Sequence, residues 1–405
     1  MIFTKIHAKN LYCFENTELD LTYPRKIVDS LIDYEYLDER APNFRFKRLC
    51  IISGANASGK SSFGKVILHA VNIITHGRLY AEKESFPLSD DTKAGELTVE
   101  FVYPTESELL FRQLTLYIHN GIYHFKYAHC PIAKADSVEV CRGKIATILN
   151  RGSSWGKNVY LENIDDAHYH KKWADLMLYL RETPESLLWA FIISNIHNSS
   201  DVHYIDKDNQ DYKDVLLKVL RTFDPSIHEI RDIFEEDDEG NRIVKGYRIY
   251  FANGKRCAMD ESGRLDPHYE HLFSQGTYQG IAVAGFVHNM LKEMKDLSLS
   301  GTFFLDEKMS NSHTEIEREI VNLIAQKINR FSQFFYTTHN YDILEMSFPL
   351  HSFAFLKREE GGNPTFIWAD TVCNKNDRNI LNYVKNNFFN TIPDVSLIDE
   401  LLWDE

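Results

Sequence analysis

Apolar and polar positions change period several times along the chain, and each change marks an element. Two short apolar runs, Ile2 to Ile6 and Leu19 to Leu21, flank the loop Cys13-Phe14-Glu15-Asn16 and predict strands that open a sheet. Residues 24–47 are polar and irregular and predict a surface excursion. Leu49 to Ile52 is a continuous apolar run. A glycine-bearing loop follows it, and then Phe63, Val66, Ile67, Ala70, Val71 and Ile74 recur at helical spacing. Glu96–Tyr103 and Leu110–Tyr127 alternate as antiparallel strands, with Asn120-Gly121 supplying a tight hairpin turn. From 139 to 235 the period becomes largely helical, clearest over Trp173–Leu180, Pro184–Ile196 and Tyr212–Phe223. A second hairpin, Arg242–Met259, turns at Asn253-Gly254.

The last third alternates again. Ile281, Ala284, Phe286, Val287 and Leu291 predict a helix, Gly301 to Leu305 a strand, and Ile316, Ile320, Leu323, Ile324 and Ile328 another helix. Gln333–Thr338 then reads as a strand, Ser352–Leu356 with Thr365–Trp368 as a hairpin, and Asn376–Phe389 as a helix. Strands alternating with helices predict an α/β core, and the hairpins add an antiparallel β wing that a parallel sheet does not need. The expected division is 1–138 for the first part of the core with its wing, 139–235 for a mainly helical inserted lobe, and 236–405 for the rest of the core.

Composition narrows the picture. At 43 % hydrophobic and 13 % aromatic residues the chain can bury a substantial interior. A formal charge of −14 argues against a broadly basic nucleic-acid surface while leaving room for a local basic groove. The six cysteines lie far apart with no CxxC pair, which suits reduced thiols in a cytosolic protein. No run approaches the ~20 apolar residues of a membrane span, and the N-terminus opens as a strand, so a soluble cytoplasmic protein is expected. The acidic run Glu235 to Glu239 reads as a solvated loop.

Candidate chemistry concentrates at four places. Gly54-Ala55-Asn56-Ala57-Ser58-Gly59-Lys60-Ser61 is a GxxxxGK[ST] loop with an apolar strand before it and an amphipathic helix after it. In such a loop Gly54 and Gly59 let the backbone of Asn56, Ala57 and Ser58 curl around phosphate. Lys60 reaches the β- and γ-phosphates, Ser61 ligates Mg2+ and Ser62 continues the cradle into the helix N-terminus. Phe304-Leu305-Asp306-Glu307 delivers two acids from a strand end: Asp306 for Mg2+, Glu307 to polarise a water against the γ-phosphate. His339, at the end of the strand after it, is placed to sense that phosphate. Ser274-Gln275-Gly276-Thr277 opens a helix, where anions bind.

Phosphate loop, SxGT, DE-ending strand and strand-terminal histidine, in that order, resemble the ABC-type P-loop ATPase heads of the structural-maintenance-of-chromosomes, RecF and OLD class. GANASGKSS, SQGT, His313 seven residues after Asp306, TTHN, and Asp377, Tyr383, Phe389 and Ile392-Pro393 resemble one branch of it. That branch is the AAA-type ATPases of bacterial phage-defence and abortive-infection loci, RloA/AbiLi-like proteins often described as ATP/GTP phosphatases. The chain departs from the branch at Met309 and Ser312, and Gln113, its candidate Q-loop glutamine, lies in an alternating stretch that reads as an ordinary strand.

The resemblance implies ATP and Mg2+ as cofactors and an ATP-dependent homodimer or higher oligomer in which Ser274 and Gly276 complete the partner copy's γ-phosphate site. It further implies a defence-system ATPase that controls a separate effector, a nuclease or toxin encoded nearby, without contact with a membrane. The alternative is a DNA-repair or recombination ATPase of the RecF/SMC-like class that binds DNA directly. A third reading is a scaffold that holds ATP without hydrolysing it.

Overall fold

A computed structural model describes residues 1–26, 30–76, 87–103, 108–120, 122–152, 155–160, 187–193, 210–236, 239–260, 263–293, 299–358, 362–373, 380–392, 396 and 398. The strands run β1 (Ile2–Leu11), β2 (Phe14–Asp20), β3 (Leu49–Ser53), β4 (Gly95–Val102), β5 (Leu110–His119), β6 (Ile122–Pro131), β7 (Trp155–Tyr160), β8 (Leu187–Ile192), β9 (Ile227–Glu236), β10 (Arg242–Phe251), β11 (Arg256–Asp260), β12 (Ser300–Asp306), β13 (Gln333–Thr338), β14 (Phe353–Lys357) and β15 (Thr365–Trp368). The main helices are α1 (Lys60–His76), α2 (Val138–Asn150), α3 (Gln210–Phe223), α4 (Gln275–Glu293) and α5 (Thr314–Lys327). The short α6 (Ala369–Val372) and α7 (Ile380–Lys385) come last. This is the expected α/β class, with mixed and antiparallel sheets.

The chain divides into two compact units, one of Met1 with residues 185–336 and one of residues 2–184 with 337–405. In the second unit, β2-β1-β4-β5-β6-β7 form an antiparallel sheet, the predicted wing. Asn120 holds φ +48° at the β5–β6 turn, the left-handed backbone that a two-residue hairpin requires. α2 is tied to this sheet by Arg142, whose guanidinium lies 2.7 Å from Glu100 and 3.0 Å from Asp20. A second sheet in the unit is mixed: β14 pairs in parallel with β3 and antiparallel with β15. Phe63 of α1 packs edge-on against Phe14 and Phe366, joining the phosphate-loop helix to both sheets.

In the first unit β8 and β12 pair in parallel and β13 lies beside β12. A separate antiparallel sheet, β9-β10-β11, carries the Asn253-Gly254 turn, with Gly254 at φ +80°. α3 and α4 approach so closely that a Cβ on Gly280 would lie 3.1 Å from the Phe223 ring. Phe286 of α4 meets Phe303 and Phe334.

Several expectations change: Trp155–Tyr160, within the expected helical lobe, is the wing strand β7, and the helix expected to reach Phe389 ends at Lys385. Within Pro184–Ile196, expected as a helix, Leu187–Ile192 is a strand: Leu-Leu-Trp-Ala-Phe-Ile has no polar face, and an unbroken apolar run satisfies a buried parallel strand as well as a helix. Residues 227–236, assigned to the helical stretch, form β9. The excursion 24–47 is not wholly superficial, since Ile32, Leu37, Ala41, Phe44 and Phe46 are buried in it. Trp173–Leu180 lies outside the described residues.

Candidate functional site: a phosphate loop and two strand-end acids

In the second unit, β3 ends at Ser53 and the loop 54–59 leads into α1, the strand, loop and helix order expected of a phosphate cradle. The loop packs too tightly for side chains at both of its glycines. A Cβ on Gly54 would sit 2.6 Å from the Leu356 carbonyl oxygen. Gly59 has φ +107°, and a Cβ there would lie 2.8 Å from Cys13 Sγ. Ala57 holds φ +58° between them. Ser58 Oγ is buried and has no hydrogen-bond partner among the described residues. A curled backbone with an orphaned hydroxyl, at a helix start whose first N–H groups have no acceptor within the helix, fits an anion of phosphate type.

Lys60 is 4 % exposed. Its Nζ donates to the Gly54 carbonyl at 2.9 Å and the Ala55 carbonyl at 3.0 Å, and lies 3.4 Å from His339 Nδ1. Thus Lys60 and His339, far apart in sequence, meet at the loop. The turn after β13 presents the histidine: Asn340 N–H donates to Thr338 Oγ1 at 2.9 Å, and Asn340 Oδ1 accepts from Asp342 N–H at 3.0 Å, capping the helical turn Tyr341–Glu345. The exposed His339 imidazole therefore projects from a fixed corner.

Two further residues border the loop, and a third anchors the neighbouring β1–β2 turn to α1. Arg358 Nη1 donates to the Ala57 carbonyl at 3.3 Å. Cys13 lies against Gly59, and burial pushes its thiol pKa up despite the nearby Arg358 guanidinium and a hydrogen bond with Ser62. Tyr12, at φ +54°, joins its hydroxyl to His69 Nε2 of α1 at 2.7 Å and fixes the β1–β2 turn to the helix. No local sequence signal marks Arg358 or Cys13, because each reaches the loop only through the sheet.

In the first unit, β12 ends at the fully buried Asp306. Glu307 follows, half-buried, at φ +47°, a left-handed conformation that costs a β-carbon-bearing residue about 1–2 kcal/mol. Met309 is fully buried and Ser312 Oγ donates to its carbonyl at 2.6 Å, so the two departures from the branch pattern stabilise the turn after the acids. At the start of α4, Ser274 Oγ accepts from Thr277 N–H at 3.1 Å and acts as the N-cap. A Cβ on Gly276 would lie 2.6 Å from the Asn311 carbonyl, which places the helix start against the turn that follows Glu307.

The structure thus gathers Gly54 to Ser62 with His339 in one unit, and Ser274 and Gly276 beside the Asp306-Glu307 turn in the other. Gln113 is an ordinary member of β5, opposite Glu100 and Ala128. Among the described residues no three His, Cys, Asp or Glu side chains converge as a metal cluster. A Mg2+ bound with phosphate oxygens needs only one or two protein ligands, and the Ser61 hydroxyl and Asp306 carboxylate are of the required type. No described helix is long and apolar enough to cross a membrane.

No family model and no curated protein matches the chain. Among solved structures it is similar to the recombination mediator protein RecF of the RecFOR pathway. One RecF structure, with ATPrS, shows 10 % identity and a TM-score of 0.40, covering 91 % of this chain and 98 % of that one. Another, with ATP, shows 11 % identity and a TM-score of 0.37, covering 83 % and 93 %. At TM-scores this low neither likeness carries an argument about function, which rests on the residues themselves.

Proposed function

We propose that the chain is a Mg2+-dependent ATPase of the ABC type, in which ATP closes two copies head to head and hydrolysis releases them. The observation that carries this reading is the meeting of Lys60 and His339 at a glycine-built loop with an orphaned buried hydroxyl. Lys60 satisfies its ammonium on two loop carbonyls; phosphate oxygens would take their place and gain charge-assisted bonds. Ser61 and Asp306 would hold Mg2+, which spreads the negative charge of the transferring phosphoryl group. Glu307 orients and polarises the attacking water, His339 registers the γ-phosphate, and the Ser274-Gly276 helix start of the second copy completes the site. Loss of the γ-phosphate removes contacts made only in the closed state, and that differential binding shifts the population toward open copies.

The finer role, a sensor and regulator in a bacterial anti-phage system acting on a separate effector, is supported by the branch resemblance of the motif set. Lys60→Ala should lose ATP binding, whereas Glu307→Gln should bind ATP, turn over at least a hundredfold more slowly and accumulate as a dimer on sizing with light scattering. Equal phosphate release by wild type and Glu307→Gln would overturn the hydrolytic assignment, and a monomer at saturating ATP would overturn the closure.

One surface favours the alternative, a repair or recombination ATPase that binds DNA directly. On the three-stranded sheet Arg231 stands opposite Arg248 while holding an exposed ion pair with Glu229 at 2.8 Å, and the Arg231 guanidinium lies 4.9 Å from the Tyr250 ring. Two arginines beside an aromatic ring suit a nucleic-acid strand, with a phosphate competing with Glu229 for Arg231. DNA affinity that falls steeply with salt and is lost in Arg231→Ala with Arg248→Ala would favour this reading.

A further inference from the structure

Away from the phosphate loop, two of the six cysteines meet in the second unit. Cys130 is next to last in β6, Cys141 lies in the first turn of α2, and both are buried, at 2 % and 0 % exposure. Cys130 Sγ is 3.7 Å from the Cys141 carbonyl oxygen, and the two thiols share a hydrogen bond. The chain between them holds that contact in place. Ala133 N–H donates to Asp136 Oδ2 at 2.7 Å, Asp136 N–H donates to the Ala133 carbonyl at 2.9 Å, and Ser137 Oγ accepts from Val140 N–H at 3.4 Å to cap α2. On the other side of Cys141, Arg142 ties the helix to Glu100 and Asp20.

A single buried cysteine is ordinarily a small apolar residue and calls for no chemistry. A hydrogen-bonded pair differs, because an S–H that donates to a neighbouring sulfur stabilises that sulfur as the thiolate. The Cys141 thiol does this for Cys130 and holds its pKa below the usual range, with the Lys144 ammonium helping; the same bond, with burial, pushes Cys141 well up. Lys144 is itself fixed, donating to the Pro131 carbonyl at 3.3 Å and pairing with Asp136. One sulfur is thereby the nucleophile and the other keeps its proton.

We propose that Cys130 and Cys141 form a reversible redox site that closes to a disulfide when the chain meets a peroxide. The Cys130 thiolate attacks one oxygen of hydrogen peroxide and breaks the O–O bond, giving a sulfenic acid and a hydroxide that takes up a proton to become water. The Cys141 sulfur then attacks the Cys130 sulfur, and its proton leaves with the sulfenic hydroxyl as a second water. Two thiols and one peroxide become one disulfide and two waters, the sulfurs losing the two electrons that the peroxide gains. Burial sets the rate: peroxide reaches the pair when the first turn of α2 lifts from β6, a local opening rather than unfolding. No residue of the phosphate loop takes part, so the site stands apart from the ATPase reading.

The test exposes the reduced full chain to hydrogen peroxide in native buffer, removes the peroxide with catalase, blocks remaining thiols with N-ethylmaleimide during unfolding in urea, and maps tryptic peptides by mass. Trypsin cuts after Lys126, Lys134 and Arg142, so a bond between the two cysteines joins peptide 127–134 to peptide 135–142. The expected result is that joined pair, separated again by dithiothreitol. In Cys141→Ser the sulfenic-acid reagent dimedone should label Cys130, whereas in Cys130→Ser it should label Cys141 at least roughly tenfold more slowly. The joined peptides of the wild-type chain decide the matter even if a variant misfolds. Two alkylated thiols at a peroxide dose that oxidises the half-buried Cys13, or a bond that forms only in urea, overturns the proposal and leaves the ATPase reading untouched. Equal labelling of the two single-cysteine variants overturns the assignment of Cys130 as the nucleophile.

Discussion

Substituting Gly54 with alanine perturbs the phosphate loop without touching a charge. The new methyl carbon would sit 2.6 Å from the Leu356 carbonyl oxygen and 2.9 Å from Ser58 Oγ. Ser58 can turn its hydroxyl away. Leu356 cannot move alone, because β14 is paired to β3 through Phe353, Ala354 and Phe355 and to β15 through Leu356 itself. Relief therefore requires the loop or the paired strand to shift by about 0.8 Å, and a forced methylene of this kind costs ~1–3 kcal/mol. The same shift misplaces the Gly54 and Ala55 carbonyls that set the position of Lys60. If the full cost falls on the ligand-competent loop, ATP binds roughly 5- to 150-fold more weakly, at ~1.4 kcal/mol per decade. Urea unfolding followed by intrinsic fluorescence gives the first number and ATP titration calorimetry the second. A Gly54→Ala protein with the wild-type unfolding midpoint and wild-type ATP affinity would refute the close approach and the reasoning drawn from it.

Stability should also depend on pH through His69, whose imidazole burial, helped by Lys65, pushes down to about 3. The unfolded chain protonates this histidine near 6.5 while the folded chain refuses the proton until about 3, so stability is full above 6.5 and falls as pH drops toward 3. Unfolding free energy at about pH 5 should lie ~2 kcal/mol below that at about pH 7, and His69→Gln, which can still accept from Tyr12, should flatten the difference; an unchanged slope would exonerate His69. Gly143 lies inside α2, and a methyl group added there would meet nothing within 4 Å, so Gly143→Ala should add ~0.5–1 kcal/mol of stability and raise the urea midpoint. Glu307→Gly should be ~1 kcal/mol more stable to urea than Glu307→Gln, since both lose the carboxylate and only glycine relaxes the φ of +47°; equal stability would mean no strain is stored there.

What could be read from the sequence was what neighbouring residues enforce on each other. The glycine loop, the Asn-Gly turns and the amphipathic face of α4 each carry their own local signal. Leu187–Ile192 has no such signal, because a fully apolar run fits either period, and only its partner β12 makes it a strand. On α5 the buried face rotates to include Glu317 in place of Ile316, which the apolar pattern could not anticipate. Tyr336 of β13 donates to that glutamate at 2.5 Å, satisfying a carboxylate that would otherwise be excluded from the core. Arg358 and Cys13 belong to the same class: nothing near them in sequence marks them, and both reach the phosphate loop across a sheet.

Backbone strain separates the residues that fold the chain from those that give it chemistry. Eight described residues other than glycine have positive φ. Four are asparagines, which tolerate the left-handed region at little cost. The other four are Tyr12, Tyr34, Ala57 and Glu307. Ala57 lies in the phosphate loop, Tyr12 is in the turn against Gly59, Glu307 follows the buried Asp306, and Tyr34 lies in the excursion 24–47. Glycine or asparagine would relieve the strain at such positions, as Asn120 and Gly254 do at two other hairpin turns. Local rules are broken where a side chain is needed in a conformation it resists, and Ala57 and Glu307 break them within the candidate site. The strain at Glu307 therefore weighs on the same side as its place after the buried Asp306.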